Sequence, residues 1–338
     1  MKNRYVILIF YFLSFPFLAG AQGNSDSASP FSFDLGAYLT VKTGHQGEYV
    51  YEPLSNDRVL SYLEWDEKPL FVAGLVGGAG YKSLRIQAEA NVAIPYESGT
   101  MEDSDFMNVS DFPNCTDAIA GIKTKYTESL CTTNTLFSIQ FQLAYGFNLN
   151  PVFSLVPFLG YDYQYSYQSA WGLKGFYYDE DYTEENGYYG WYTTSGHNYP
   201  VNRSKNIEVI SLKRNYHMTW IGLSASFNLG NSLTLDASVA VSPFIAIKSY
   251  DNHILRNKIF FDDMNSFFSG GKFSAVLNYK INPHNSIYGK VGFLSTGIAD
   301  GITYVSSNGA KSYTAYPSSH SGGDLQVWDF SFGYKYSF

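Results

Sequence analysis

The last nine residues, Phe330-Ser331-Phe332-Gly333-Tyr334-Lys335-Tyr336-Ser337-Phe338, alternate an aromatic ring with a small or polar residue without a break. In an extended strand successive side chains point to opposite faces, so all five rings fall on one side. Such a face needs an apolar surrounding. Further back, Leu233, Leu235, Ala237, Val239 and Val241 alternate with Thr234, Asp236 and Ser238. Phe137, Ile139, Phe141 and Leu143 alternate in the same way with Ser138, Gln140 and Gln142. No helical period of comparable length competes with this pattern.

Composition narrows what can surround those rings. Aromatic residues make up 18% of the 338 and charged residues only 15%, against about 25% charged in an average globular chain. A hydrophobic content of 45% and a mean hydropathy of -0.16 exclude both a disordered chain and a polytopic helical membrane protein. Past the N-terminus, no run reaches the ~18 apolar residues that a membrane helix needs. The net charge of -8, with no basic stripe to neutralise phosphates, argues against a nucleic-acid partner. Two cysteines do not make a disulfide framework.

The N-terminus sets the compartment. Lys2 and Arg4 precede an apolar run from Tyr5 to Leu18 that ends in Ala19-Gly20-Ala21. This reads as a signal peptide over residues 1–21, cut before Gln22, with an uncleaved anchor as the alternative. Export makes a Cys115–Cys131 disulfide chemically open, with two unpaired thiols equally compatible with the sequence.

Two kinds of connection separate the alternating segments. Tight turns occur around Gly80-Tyr81-Lys82, Asn148-Leu149-Asn150-Pro151, Asn228-Leu229-Gly230-Asn231 and Ile281-Asn282-Pro283-His284-Asn285. Long polar segments cover roughly 106–132, 173–205, 254–268 and 305–323, with a shorter one near 44–58. The alternation predicts ten strands near 30–44, 58–79, 83–105, 133–148, 152–172, 206–229, 232–253, 269–281, 286–304 and 324–338. Strands of soluble sheets run about 5–6 residues, and most of these are much longer. An even strand number, short turns at one end and long loops at the other define an all-β, ten-stranded antiparallel transmembrane β-barrel. Residues 22–338 form that barrel, with short periplasmic turns, long outer loops and a lumen filled by polar side chains. A secreted soluble β-protein is the competing reading.

Polar groups at the outer strand ends carry the chemistry. Glu102-Asp103-Ser104-Asp105 closes the third strand, and Asp103 and Asp105 share one face, ~7 Å apart along the strand. Like charges so close raise at least one pKa. Asp251-Asn252-His253 closes the seventh strand, where Asp251 can orient the His253 imidazole as a general base. If the two ends face each other, a water between His253 and Asp103 could attack a carbonyl without a metal or a covalent nucleophile. Either pair by itself is usually a hydrated loop root. No Cys/His cluster has zinc spacing, no serine sits in a nucleophile elbow, and no glycine-rich loop cradles phosphate. Neither metal nor cofactor is expected.

The sequence resembles the omptins, a family of ten-stranded outer-membrane endopeptidases. The similarity rests on Gly47-Glu48-Tyr49-Val50-Tyr51 followed by Tyr62-Leu63-Glu64-Trp65, the acidic block from Glu102 to Met107, and Asp251-Asn252-His253. Met218-Thr219-Trp220-Ile221-Gly222-Leu223 and the C-terminal Tyr334 to Phe338 extend it over nearly the whole mature chain. The resemblance implies an aspartic-type hydrolase, monomeric in the outer membrane with its active site outside, acting on peptides or proteins near basic residues. It makes Asp251 and His253 the base dyad and Asp103 and Asp105 the opposing couple. Glu48 becomes the acid that holds a basic side chain before the scissile bond. A second acid is expected two residues before Asp251, where this chain has Ser249, and a single carboxylate holds a guanidinium less well than two.

Omptins also bind lipopolysaccharide through outward basic residues. Near those positions this chain has Gln164 and Asn215, with Arg214 one residue off, which places it on the other face; lipopolysaccharide dependence is therefore in doubt. The stretch from Phe176 to Tyr199 carries Asp179, Glu180, Asp181, Glu184 and Glu185 among aromatics. It reads either as an attractor for cationic peptides or as a solvated loop. Two rivals to the enzyme remain at the level of sequence: a non-catalytic adhesin or structural barrel, and a channel.

Overall fold

Hydrogen bonding joins ten long strands into one antiparallel ring in the computed structural model. The structure describes residues 30–52, 55–106, 108, 120–121, 123–178, 198–307 and 313–338. The leader, Cys115 and the acidic cluster 179–185 lie outside the described residues.

The first two strands are Phe31–Glu52 and Ser55–Tyr81. The third is interrupted once, as Leu84–Ala93 and Tyr96–Phe106. The fourth, fifth and sixth are Lys123–Tyr145, Phe153–Tyr178 and Asn198–Asn228. The seventh runs as Leu233–Ser242 and Ile245–His253, and the eighth as Lys258–Ser266 and Gly270–Lys280. The ninth is Asn285–Ser295 continued by Ala299–Ser307, and the tenth is Thr314–Ser337. The tenth pairs with the first from Asp34 opposite Ser337 to Val50 opposite Ser321, which closes the ring and leaves no open edge.

The alternation sorts side chains as the sequence predicts. Phe330, Phe332, Tyr334 and Phe338 point outward, with Phe332 63% exposed, and Leu39 on the neighbouring strand is 68% exposed. This apolar band ends near Val41, Phe71, Ile94, Phe244 and Trp328. The opposite face holds charge pairs in the lumen, including Lys272 Nζ to Asp162 Oδ2 at 2.8 Å and Lys290 Nζ to Asp329 Oδ1 at 3.3 Å. Pairing of this kind is what allows ionised groups to sit away from bulk water.

Beyond the band the strands continue further than the sequence reading allows. Much of the polar stretch 44–58 is paired strand, and Lys123 already belongs to the fourth strand. The predicted loop 254–268 is a tight hairpin: a single 3-10 turn, Ile254–Arg256, is closed by Asn257 in the left-handed region, and the eighth strand starts at Lys258. Residues 299–307 and 314–323 likewise pair across the segment read as loop. Above the lipid, water bathes the outer face, so hydropathy no longer alternates although the ladder hydrogen bonds persist. The site residues stand on this rigid extension, about seven to eleven residues past the band, or roughly 23–36 Å along the strand.

A bulge between Lys42 and Gly44 interrupts the pairing of the first two strands where the extension begins. A Cβ on Gly44 would collide with the Gln326 carbonyl oxygen and crowd Val327 Cα, both backbone atoms that cannot swing aside. Gly44→Ala is expected to cost about 1–3 kcal/mol, read as a lower denaturant midpoint of the refolded barrel; an unchanged midpoint would show that the tenth strand yields.

Candidate active site

Asp103 and Asp105 stand on the outer half of the third strand, between the second and fourth strands. Asp103 is buried and Asp105 half-buried. Directly across from Asp105 lies Lys125. Its Nζ sits 2.6 Å from Asp103 Oδ2 and 3.1 Å from Asp105 Oδ2, bridging the pair. Burial drives the Asp103 carboxyl above its ordinary pKa, and the charge of Asp105 adds to this, while Lys125 pulls it back. For Lys125 the balance reverses: burial works against its charge, but Asp103 and Asp105 outweigh it and raise its pKa.

On the seventh strand Asp251 and His253 share the lumen face. His253 Nε2 donates a short hydrogen bond to Asp251 Oδ2, which leaves Nδ1 as the basic nitrogen. The ring stands edge-on to Phe260 at a centroid distance of 5.1 Å. Asp251 is buried, and its Oδ1 has no hydrogen-bond partner among the described residues. The charge of His253 acts on Asp103, and that of Arg256 in the adjoining turn acts on Lys125. The dyad and the acidic pair are therefore within electrostatic reach of each other.

Below them lies a buried ionic cluster. Glu48 is 3% exposed and Arg214 0%. Arg214 Nη2 meets Glu48 Oε2 at 3.4 Å, Nη1 donates to the Gly47 carbonyl at 2.7 Å, and Nε donates to Ser249 Oγ at 3.2 Å. Ser249 and Arg214 are direct cross-strand partners, and Asp262 lies opposite Ser249 on its other side. Burial and the nearby Asp251 raise the pKa of Glu48, with Arg214 opposing them. Burial pushes Asp262 up to about 6, against the hydroxyl of Thr303, which donates to Oδ1 at 2.7 Å, and against the charge of Arg214.

Asp262 thus binds its proton more tightly in the folded barrel than in the unfolded chain. The stability it contributes is present below its ordinary carboxylate pKa and is lost as pH rises through about 6. Asp262→Asn keeps an acceptor for Thr303 and never ionises. Its thermal transition is expected to match that of the wild type near pH 4 and to exceed it near pH 7.5. Equal transitions at both pH values would show that the charge is solvated at no cost.

Lys125, Arg214 and Asp262 are the members of the cluster that sequence reading did not assign to it. Lys125 falls in a segment read as loop, where cross-strand partners cannot be assigned. Arg214 does carry a signal: it shares the period-two face of Leu212, Tyr216, Met218 and Trp220, all buried in the lumen. Gln164, expected beside the outward lipid-binding positions, is also buried on the inside. Asn215 does face outward, where it accepts a 2.7 Å hydrogen bond from the Tyr163 hydroxyl. Cys131 is buried, with Ser98 Oγ 3.5 Å from its sulfur; the pairing with Cys115 lies outside the described residues.

A closed antiparallel ring with a lipid-facing apolar band and a cluster of ionisable groups at its outer mouth defines an outer-membrane β-barrel with a surface-facing site. Residues 29–338 match the family model described as the Omptin family, and the chain belongs to that family of outer-membrane proteases. The crystal structure of the outer membrane protease OmpT from Escherichia coli superposes with a TM-score of 0.74 at 16% identity, covering 93% of this chain and 99% of that one. At that identity the likeness speaks for the fold. The outer membrane protein OprG from Pseudomonas aeruginosa gives a TM-score of 0.33 at 12% identity, covering 92% and 96% of the two chains. The translocator domain of the autotransporter NalP from Neisseria meningitidis also gives 0.33, at 8% identity, covering 90% and 88%. No curated protein sequence matches the chain significantly.

Proposed function

We propose that the chain is a surface endopeptidase in which Asp251 and His253 activate a water held against Asp103 and Asp105. The observation that supports this most is the placement of an oriented imidazole within electrostatic reach of the buried Asp103 on a rigid wall. His253 Nδ1 takes a proton from the water as its oxygen bonds to the peptide carbonyl carbon, giving a tetrahedral oxyanion. Asp251 stabilises the resulting imidazolium, and Asp103 positions the water through the oxygen that Lys125 does not hold. On collapse the C–N bond breaks, and the imidazolium returns the proton to the leaving amine. Water is consumed, and a carboxylic acid and an amine result. No step needs a metal or a cofactor.

The net charge of -8 attracts cationic segments to the mouth, so cleavage near basic residues is part of this reading. The rival, a non-catalytic adhesin or structural barrel, draws support from Lys125, whose ammonium engages both members of the acidic pair. Incubating the refolded full chain with a mixed peptide library separates the two. The enzyme yields defined new termini in mass spectra, and a library left intact would exclude it.

A further inference from the structure

The fully buried cation in the floor of the site has a consequence for specificity. Glu48 and Ser249 are the positions that the resemblance assigns to holding a basic side chain before the scissile bond. A guanidinium from the barrel wall already binds both of them. All three Arg214 nitrogens are engaged: Nε by Ser249, Nη1 by the Gly47 carbonyl and by the Tyr216 hydroxyl at 3.4 Å, and Nη2 by Glu48. Below it, the Tyr216 hydroxyl donates to Gln46 Oε1 at 2.9 Å, and Gln46 Nε2 donates to Glu67 at 2.6 Å. This buried network holds the arginine in place. The missing acid at 249 and the arginine at 214 are direct cross-strand partners. The serine supplies an acceptor for Nε, and Arg214 offsets the one negative charge that Glu48 still carries when ionised.

We propose that Arg214 is a built-in occupant of the basic-residue pocket, a specificity determinant that directs cleavage to bonds preceded by an uncharged residue. A second guanidinium or an ammonium entering there would meet Arg214 at close range, with Glu48 already paired to it. An acidic side chain would meet Glu48, Asp251 and Asp262, whose charges already act on one another. Only an uncharged residue avoids both. Basic residues elsewhere in the substrate can still be drawn to the mouth. The inference rests on the proteolytic reading and changes which bond is cut.

The test uses the refolded full chain. Library cleavage by the wild type is expected after Ala, Ser, Gly or other uncharged residues at least tenfold more often than after Arg or Lys. Arg214→Ser is expected to raise cleavage after Arg by tenfold or more relative to cleavage after Ala. Wild-type cleavage mainly after Arg or Lys overturns the inference and leaves the protease intact. If the wild type cuts nothing, the proteolytic reading fails, and occupancy of the pocket is decided by binding. Calorimetry with acetyl-Ala-Ala-Arg should then show at least tenfold tighter binding to the variant than to the wild type, and equal binding overturns the inference. Should Arg214→Ser fail to refold, Arg214→Gln, which keeps donors for Ser249 and Gly47 without the charge, takes its place.

Discussion

Refolded His253→Ala and Asp103→Asn barrels are expected to cleave peptides ~10²–10⁴-fold more slowly than the wild type, the usual range for losing a positioned general acid–base group. The two variants test different halves of the mouth. Without His253 the water loses the base proposed to take its proton, and the buried Asp251 loses the imidazole it orients. Without the Asp103 charge the water loses the group that orients it toward the dyad, but the base survives. Asp103→Asn should therefore lower kcat while leaving the base in place, whereas His253→Ala should remove the base itself. His253→Ala also strips the imidazole hydrogen bond from a buried carboxylate whose second oxygen already has no partner among the described residues. A loss of stability is expected with it, so each variant must first show the wild-type circular dichroism spectrum. Cleavage by either variant at the wild-type rate would remove that residue from the mechanism.

Within the lipid the strands were legible in the sequence because one face meets hydrocarbon and the other a polar lumen. That contrast writes itself into the chain as Phe330, Phe332 and Tyr334 against Ser331, Gly333 and Lys335. Above the lipid the contrast disappears. Lys258–Ser266 pairs on both sides as regularly as any membrane strand, yet nothing in Asp262-Asp263-Met264-Asn265 announces it. The same limit governed the site. Asp103, Asp105, Asp251 and His253 could be found as i, i+2 pairs within one strand, where geometry follows from sequence spacing. Lys125 and Arg214 act on partners that are distant in sequence: Arg214 lies 166 residues from Glu48, and its partners follow only from ring closure and register. What sequence did offer was parity, which put Arg214 on the opposite face from the outward positions; the buried lumen face is where it lies.

Replacing Lys125 with Met is expected to shift the acid limb of the cleavage profile upward by ~1–3 pH units, the usual effect of removing an opposite charge beside a carboxylate. At present the ammonium offsets part of the burial cost that raises Asp103. Without it two carboxylates remain on one strand face, and the more buried one, Asp103, retains a proton to higher pH. A protonated Asp103 no longer draws the water toward His253, so activity near neutrality should fall. Stability should fall too. Removing one partner of a buried ion pair costs about 3–5 kcal/mol, and the lower end applies because the Asp105 side chain is 31% exposed. Adding Asp105→Asn to Lys125→Met relieves the repulsion and should recover part of both losses, which loss of packing at Lys125 would not. The opposite outcome is equally definite: if Lys125→Met cleaves faster than the wild type across the whole pH range, the ammonium is a plug in the acidic pair that slows the native barrel.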